Sequence, residues 1–406
     1  MVRLLRPACR LYYFLETYYF MAKRIAIAGA GISGAVLARC LSEAGWEVDV
    51  FDARNHIAGN CHTERDDASG VLVHRYGPHI FHTSDEEVWA FVNRYGTFNS
   101  FRHRVKAVAG GRVFGLPINL LTINQFFGRN MSPDEAKVFI SKLGEGGSSE
   151  PANFEEQAMR FVGRDLYEAF FKGYSKKQWG VDPVHLPASV LKRLPVRFDY
   201  NDEYFNHKYQ AMPVSGYTAL VEKMLDAPGI QVHLGRRISR AEVNDYDHFF
   251  YTGPLDGYFD YALGRLGYRT LDFDTFRFTG DFQGCAVINY CDADVPFTRI
   301  TEHKHFSPWE SHAESICYRE HSRLAGPDDT PYYPIRLAVE QALLGQYLEL
   351  ARRESRVTFV GRLATYRYLD MDVSIGEALR CARKFLECRQ LNAPMPPFTV
   401  DPESHA

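Results

Sequence analysis

This 406-residue chain has few of the features that mark membrane, metal or nucleic-acid proteins. No apolar run approaches the ~20 residues that a membrane-spanning helix needs. The eight cysteines include no C-x-x-C pair and no metal-ligand spacing with histidine, so we expect reduced thiols, no metal and a cytoplasmic protein. The formal net charge of −3 provides no general attraction to nucleic acid or to a membrane surface. An anionic ligand would therefore need a local group of arginines.

The chain also lacks internal repeats and low-complexity segments, and it is long enough for two or three domains with sizeable cores. Residues 1–20 place Arg3, Arg6 and Arg10 among apolar residues, as a targeting segment does. The apolar runs are nevertheless too short for a signal peptide, and no small-residue cleavage site follows them. Because Met21 stands close before the first predicted strand, we expect residues 1–20 to be an optional tail.

The most informative segment, residues 22–54, predicts a strand, a glycine turn, a helix and a second strand. Gly29, Gly31 and Gly34 have the G-x-G-x-x-G spacing. The first glycine permits a tight turn, the second lets the backbone approach a pyrophosphate, and the third lets the helix pack closely on the strand. Asp52 follows the second strand, where a carboxylate can accept both hydroxyls of an adenosine ribose. The segment therefore predicts a dinucleotide-binding unit.

Hydrophobic spacing along the rest of the chain predicts alternating helical and extended regions. Residues 105–117 alternate around two glycines and predict a hairpin. Residues 124–194 are helical in pattern, with capped helices over 132–143 and 153–179. The further predicted elements are helices over 216–225 and 374–386, strands over 230–238, 248–254, 269–289, 294–302 and 357–360, and a loop over 361–370.

Together these elements predict an α/β fold, in which a discontinuous FAD-binding Rossmann-like domain encloses a helical insertion and an antiparallel β-sheet domain. This architecture is common among FAD enzymes of the glutathione-reductase type, and the loop from Arg54 to Asn60 resembles their second flavin-pyrophosphate segment. The expected boundaries are 22–97, 206–250 and 355–395 for the FAD-binding domain, 118–205 for the helical domain with a mobile substrate loop, and 98–117 with 251–354 for the sheet domain.

Two segments combine histidine or aromatic residues in patterns suited to a site. After the Gly77-Pro78 bend, His79 and His82 could line an isoalloxazine and assist proton movement near neutral pH, or they could be ordinary loop histidines. Tyr174 and Trp179 could form a stacking platform for a base such as uracil, with the flanking lysines favouring a phosphate. Trp179 could equally be a core residue.

Two further segments offer positive charge to an anionic ligand. Arg193 and Arg299 lie in separate predicted domains, and the planar fork of arginine suits paired phosphate oxygens, so the two could grip one diphosphate. Either arginine could instead be a solvated surface residue. Residues 361–372 precede a helix whose N-terminus could stabilise negative charge at the N1/C2 edge of a reduced flavin.

The strings GAGISG, RYGPHIFHT, KKQWG, LPVRF, FTRITEHKHF and GRLATYRYLDMD, in this order, resemble the prokaryotic UDP-galactopyranose mutase family from about Lys23 to Leu386. The resemblance implies a flavoenzyme that interconverts UDP-galactopyranose and UDP-galactofuranose with no net redox change. It implies FAD that is active when reduced: flavin N5 captures the anomeric carbon as UDP departs, the adduct opens to an iminium, and the sugar recloses with the other ring size. It also implies a homodimer and a product used in cell-wall or surface polysaccharide.

The same resemblance assigns site residues by position. Those expected to take part in catalysis are Arg193, Arg299, His79 and His82. Those expected to bind substrate are Phe170, Tyr174 and Trp179 at the uracil, Arg193, Arg299, Tyr204, Tyr333 and Tyr368 at the diphosphate, and Arg269, Asn289, Glu320 and Asp370 in the rest of the pocket. Those expected to contact FAD are Gly29, Gly31, Ser33, Gly34, Asp52, Ala53, Arg54, Gly59, Asn60, His79, Gly361, Arg362, Asp370 and Met371. Ala58 replaces a glycine that the family often has, and we expect a tighter approach to the pyrophosphate there without loss of binding.

Two other functions fit parts of the sequence. A conventional FAD oxidoreductase of the amine-oxidase-like type would share the cofactor unit, but its pocket would be aromatic and apolar and its substrate would drive reduction of oxygen or another acceptor. A binding module that has lost flavin would use its insertion to hold a protein partner. The retained glycines and Asp52 count against that module, and a colourless purified protein would support it.

Overall fold

The computed structural model describes residues 23–144, 150–188, 191, 196–335 and 337–403. The predicted tail and Arg193 lie outside these residues. The strands are β1 (Arg24–Ala28), β2 (Glu47–Phe51), β3 (Thr63–Arg65), β4 (Leu72–His74), β5 (Phe81–Thr83), β6 (Phe98–Ser100), β7 (Val105–Ala109), β8 (Arg112–Leu116), β9 (Tyr209–Pro213), β10 (Ile230–His233), β11 (His248–Tyr251), β12 (Tyr268–Thr279), β13 (Val287–Tyr290), β14 (Arg299–Glu302), β15 (Glu314–Leu324), β16 (Tyr333–Pro334) and β17 (Val357–Phe359). The α-helices are α1 (Ile32–Glu43), α2 (Glu86–Asn93), α3 (Leu120–Phe127), α4 (Pro133–Leu143), α5 (Phe154–Leu166), α6 (Gly173–Trp179), α7 (Gly216–Leu225), α8 (Leu255–Tyr258), α9 (Ala338–Ala351), α10 (Gly361–Ala364) and α11 (Met371–Gln390).

Five parallel strands form the first sheet, in the order β10-β2-β1-β11-β17. Ile25 and Ile27 of β1 are completely buried, as expected for a parallel strand covered on both faces. One core layer joins α1, α7 and α11 through side chains such as Leu37, Val221 and Phe385. The α/β Rossmann-like fold predicted from residues 22–54 is therefore confirmed.

Seven strands form the second sheet, in the order β16-β12-β15-β14-β13-β7-β8. The predicted hairpin is present as β7 and β8. The single strand predicted over 269–289 is wrong, because a loop that contains Gly280 and Gly284, both with positive φ, separates β12 from β13. The strand predicted from residue 294 begins only at Arg299. β6 pairs with β9 in a separate three-stranded sheet, so only residues 105–116 of the segment 98–117 join the large sheet.

The helical region departs from the predicted continuous helix over 153–179. Gly163 interrupts it with a φ of +77°, because α5 crosses α4 so closely that a Cβ there would lie 2.7 Å from Leu143 Cβ. A π-helical segment, Tyr167–Lys172, then leads into α6. At the other end of the chain, α11 begins three residues earlier than predicted, at Met371.

The structure adds two observations on cellular context. Among the described residues, no helix combines the length and the apolar character needed to cross a membrane. Cys40, Cys61, Cys285, Cys291, Cys317, Cys381 and Cys388 are free thiols.

Candidate active site

The predicted glycine turn lies at the carboxyl end of β1, where ligands bind in open parallel sheets. Gly29 has a φ of +108° and donates its N–H to the Phe51 carbonyl at 2.7 Å. A Cβ on Gly34 would lie 1.9 Å from the Gly29 carbonyl oxygen, so only glycine allows α1 to pack this closely on β1. Gly31 differs from Gly34 in this respect. The described atom nearest to a Cβ on Gly31 would be Gly59 Cα, at 3.8 Å. Gly31 therefore leaves open space beside the turn.

Asp52 fastens this turn to the loop that follows β2. Its carboxylate accepts the N–H of Ala30 and the N–H of Arg54, each at 2.9 Å. Further lone pairs remain on both oxygens, so these bonds are compatible with ribose hydroxyls. Arg54 Nη2 donates to Asn60 Oδ1 at 2.8 Å, whereas Arg54 Nη1 is buried without a partner among the described residues. That buried donor fits a pyrophosphate oxygen.

The carboxyl-terminal segment closes the same cradle. Gly361 has a φ of +86°, and a Cβ there would lie 3.0 Å from Ser33 Oγ, so the segment touches the first turn of α1. Ala58 is buried in the left-handed region, with a φ of 72°, and its N–H donates to the Ala30 carbonyl at 2.8 Å. The backbone thus accepts alanine where glycine was expected. The glycine turn after β1, the loop around Ala58 and the segment at Gly361 thus lie close together, as expected for a dinucleotide-binding site. The remaining residues predicted at the cofactor lie at the rim (Ala53, exposed) and at the start of α11 (Asp370 and Met371).

Three of the predicted substrate residues lie at one level across three adjacent strands. Asn289 of β13 is in register with Arg299 of β14, and Arg299 is in register with Glu320 of β15. Directly opposed residues of antiparallel strands share a face of the sheet. Arg299 Nε lies 3.0 Å from Glu320 Oε1, and Glu320 is only 1% exposed. Asn289 Oδ1 is buried without a hydrogen-bond partner in the described chain.

Tyrosines surround the Arg299 guanidinium. Although burial opposes its charge, the Glu320 carboxylate holds the pKa of Arg299 above its usual value. The hydroxyls of Tyr174, Tyr204 and Tyr333 interact electrostatically with the same guanidinium. Burial raises the pKa of Tyr174 and of Tyr333, so both hydroxyls keep their protons and can donate hydrogen bonds.

Two more predicted residues, Tyr368 and Arg269, lie next to Tyr333. The ring of Tyr368 stacks on Tyr333 with centroids 5.5 Å apart. Arg269 is in register with Tyr333 on the neighbouring strand and donates from Nε to the Gln178 carbonyl at 3.1 Å, which ties it to the end of α6. Arg362 interacts electrostatically with both His79 and Tyr333. The residues predicted for substrate and for cofactor therefore meet in one place.

The two predicted histidines are held in a neutral state. His79 Nδ1 donates to the Gly77 carbonyl at 3.0 Å. Burial and the Arg362 charge lower the pKa of His79 to about 4. His79 therefore does not titrate near neutral pH, in contrast to the sequence-based prediction. His82 Nδ1 lies 2.7 Å from His207 Nδ1, and the His82 ring stacks on Phe205 at 3.7 Å. Burial lowers the pKa of His82 as well.

His82, His207 and Asp372 bring three possible metal ligands within 4.8 Å of one another. Zinc–nitrogen bonds of ~2.0–2.1 Å place two nitrogens of a tetrahedral site about 3.3 Å apart. The observed 2.7 Å between the two Nδ1 atoms is a hydrogen-bond distance instead. The pair therefore fits a hydrogen bond between the two rings better than shared coordination of a metal ion.

The residues predicted to hold the base are buried or half-buried. Phe170 is 4% exposed and packs against Phe114 with centroids 5.1 Å apart, so its contact with uracil stays a prediction. Trp179 is half-buried at the end of α6 and Tyr174 is on the same helix. The phosphate role predicted for the flanking lysines is wrong for Lys177, whose ammonium is bonded to backbone carbonyls.

Sequence reasoning missed His103, Phe205 and His207. His103 is buried beside Arg299 and His82, and burial together with these neighbours lowers its pKa to about 3. Phe205 and His207 follow Tyr204 directly in the string YFNH, so their nearness to a predicted site residue was the available signal. No local pattern indicated His103.

Comparison with known proteins finds similarity over most of the chain. One protein-family description, NAD(P)-binding Rossmann-like domain, matches residues 27–95, and another, UDP-galactopyranose mutase, matches residues 169–368. A probable UDP-galactopyranose mutase of Klebsiella pneumoniae is 58% identical over 93% of this chain and 98% of its own. A dTDP-fucopyranose mutase of Escherichia coli is 51% identical over 90% of this chain and 98% of its own. A crystal structure of reduced UDP-galactopyranose mutase has the same fold, with a TM-score of 0.69 at 17% identity, covering 90% of this chain and 96% of that one.

Proposed function

The chain belongs to the UDP-galactopyranose mutase family and is an isomerase, and from this membership we propose that it interconverts UDP-galactopyranose and UDP-galactofuranose on bound, reduced FAD. The observation that carries the proposal is the row formed by Asn289, Arg299 and Glu320. It presents a guanidinium, a buried carboxylate and an amide oxygen without a partner among the described residues at one level of the sheet, and several tyrosine hydroxyls interact electrostatically with that guanidinium. A sugar diphosphate needs this combination of cation and neutral donors.

Arg299 would bind the diphosphate. The Glu320 carboxylate forms an ion pair on the Nε side of the guanidinium, where Nε has no aligned hydrogen-bond partner among the described residues. The terminal nitrogens would serve the phosphate oxygens. Tyr204, Tyr333 and Tyr368 would donate hydroxyl protons to the remaining oxygens. Arg193, which lies outside the described residues, stays a prediction as the second cation, and Trp179 with Tyr174 would hold the uracil.

The glycine cradle would hold the FAD. Gly29, Gly31 and Gly59 would border the pyrophosphate, Asp52 would accept the ribose hydroxyls, and the first amides of α11 would face the N1/C2 edge of the ring. Reduced flavin supplies an electron-rich N5 that can attack the sugar anomeric carbon. His79, with Nδ1 engaged by the Gly77 carbonyl, would offer Nε2 as an acceptor beside the ring. The protein itself would orient the sugar, neutralise the diphosphate and exclude water.

The substrate needs a direct test, because the E. coli relative named dTDP-fucopyranose mutase makes dTDP-fucopyranose a second candidate. Purified yellow enzyme, oxidised or reduced with dithionite, would be incubated with each sugar nucleotide and the products separated by chromatography. We expect turnover of UDP-galactopyranose by the reduced enzyme only. Turnover of the dTDP sugar alone would change the substrate, and sugar-independent oxygen consumption with an amine would favour an amine-oxidase-like enzyme.

Three cellular properties belong to the same proposal. The unpaired thiols support a reducing compartment, which we take to be the cytoplasm. We propose a homodimer, which light scattering of the purified protein would test. We also propose that the product supplies cell-wall or surface polysaccharide, as the resemblance to the family implies.

A further inference from the structure

The ammonium of Lys177 lies in a cage of four backbone carbonyls. Its Nζ is 2.8 Å from the oxygens of Tyr290 and Asp292 and 3.0 Å from those of Val295 and Phe297. All four belong to residues 290–297, which lead from β13 into β14. Since an ammonium has three N–H donors, these oxygens share them. One side chain of α6 therefore organises an entire connection of the large sheet.

The conformation of residues 290–297 depends on this cation. Burial lowers the pKa of Lys177, while the Asp292 and Asp294 carboxylates nearby favour its charged form. Without the ammonium, four carbonyl dipoles would converge with no donor between them. The same contacts explain why β14 starts only at Arg299, since the residues before it curl around Nζ.

A glycine one turn before Lys177 provides independent evidence for this docking. Gly173 faces the same connection, and a Cβ there would lie 2.3 Å from the Cys291 carbonyl oxygen and 3.0 Å from Ala293 N. Residues four apart share a helix face. The backbone of α6 thus touches residues 290–297 directly, and Lys177 binds their carbonyls from the next turn. The far side of the connection is held by a hydrogen bond from Cys291 N to the Val108 carbonyl at 2.8 Å.

The cage joins the two halves of the candidate substrate site. α6 carries Tyr174 and Trp179, and the two ends of the caged connection carry Asn289 and Arg299. We propose that Lys177 is a positioning residue that holds the base-binding helix at a fixed distance from the Asn289 and Arg299 pair. This role rests on the proposed function. It lets a nucleoside and its diphosphate be bound by one rigid unit.

The test compares Lys177→Met with Lys172→Met, because Lys172 is an exposed lysine directly before the same helix and no phosphate role is predicted for it. Calorimetry would measure the affinity of the FAD-loaded proteins for UDP and for UMP. We expect Lys177→Met to keep its flavin spectrum but to bind UDP about tenfold more weakly. The ratio of UDP affinity to UMP affinity should also decrease, because the site for the second phosphate is no longer fixed relative to the site for the base. Lys172→Met should match wild type.

Two further variants keep the test decisive if Lys177→Met does not fold. Gly173→Ala displaces α6 from residues 290–297 without changing the charge, and Lys177→Arg keeps the charge in a side chain of different shape. Both variants should reduce the ratio of UDP affinity to UMP affinity. Unchanged UDP and UMP affinities in the folded variants would overturn the positioning role. Failure of the wild-type protein to bind UDP would instead overturn the proposed function.

Discussion

Arg299 and Glu320 face each other across neighbouring antiparallel strands, with Nε and Oε1 3.0 Å apart. The carboxylate is almost fully buried, so it costs solvation energy unless a cation remains beside it. The pair therefore keeps a guanidinium at the floor of the site before any ligand arrives.

Replacement of Arg299 should separate binding of the diphosphate from binding of the cofactor. We expect Arg299→Ala to lower kcat/KM by about 10²–10³-fold or more, as for loss of a preorganised donor, with the flavin spectrum intact. Arg299→Lys should recover only part, because an ammonium lacks the fork. Arg319→Ala is the control, since Arg319 is next to Glu320 on β15 and points to the other face. Wild-type kinetics in Arg299→Ala would place the diphosphate elsewhere.

Two glycines of the same turn should respond differently to alanine. Gly34→Ala should destabilise the fold, because its Cβ would lie 1.9 Å from a backbone oxygen. Gly31→Ala should fold, since the nearest described atom is 3.8 Å from the added Cβ, and yet it should lose FAD if the pyrophosphate occupies that space. Flavin absorbance per mole of protein, with the thermal midpoint, distinguishes the two effects. Full FAD content in Gly31→Ala would contradict the cofactor placement.

Removal of the indole of Trp179 should weaken the binding of UDP more than that of pyrophosphate. Loss of base stacking is worth roughly 1–3 kcal/mol, and Trp179→Ala should show it in equilibrium binding without turnover. Phe139→Leu is the matched control, because Phe139 packs on Phe127 within the helical core, with centroids 4.8 Å apart, and no role in binding is predicted for either ring. It should lower the thermal midpoint and leave UDP affinity unchanged. Equal UDP affinity in Trp179→Ala and wild type would assign Trp179 to the core.

Acid should destabilise the protein through its buried histidines. Burial lowers the pKa of His248 on β11 to about 3, whereas an unfolded histidine has a pKa of about 6.5. The stability that this neutral ring contributes is therefore present above pH ~6.5 and is lost as the pH falls toward 3, at about 1.4 kcal/mol per pH unit. Burial also lowers the pKa of His303 to about 3, so the stability that this histidine contributes is lost with falling pH in the same way. Denaturant unfolding at pH 7 and pH 5.5 should show the loss.

A substitution at His248 tests this assignment. His248→Gln can still hydrogen-bond Thr358 but has no proton to gain, so the stability difference between the two pH values should become smaller. His185→Gln, at an exposed position, should leave that difference unchanged. An identical pH dependence in both variants would show that His248 does not contribute.

Local pattern was sufficient for the α/β class, for the glycine turn, for the hairpin at 105–117 and for the capped start of α4, where Ser132 and Glu135 bond reciprocally. In each case the residues that decide the conformation are close together in sequence, so spacing and side-chain type carry the information. The resemblance to a family added residues such as Asn289 and Glu320, which no local pattern singles out.

The sequence did not predict which remote segments contact each other, and only the tertiary structure shows these contacts. Lys177 and Tyr290 are 113 residues apart, and their contact determines where β14 begins, so the predicted start at residue 294 failed. His82 and His207 are 125 residues apart, and burial of His82 beside this second ring lowers the pKa of His82, which the loop motif alone would leave near neutral. Burial of a side chain and the charges beside it depend on which segments meet in space. The distance between two segments in space cannot be obtained from their separation in the sequence.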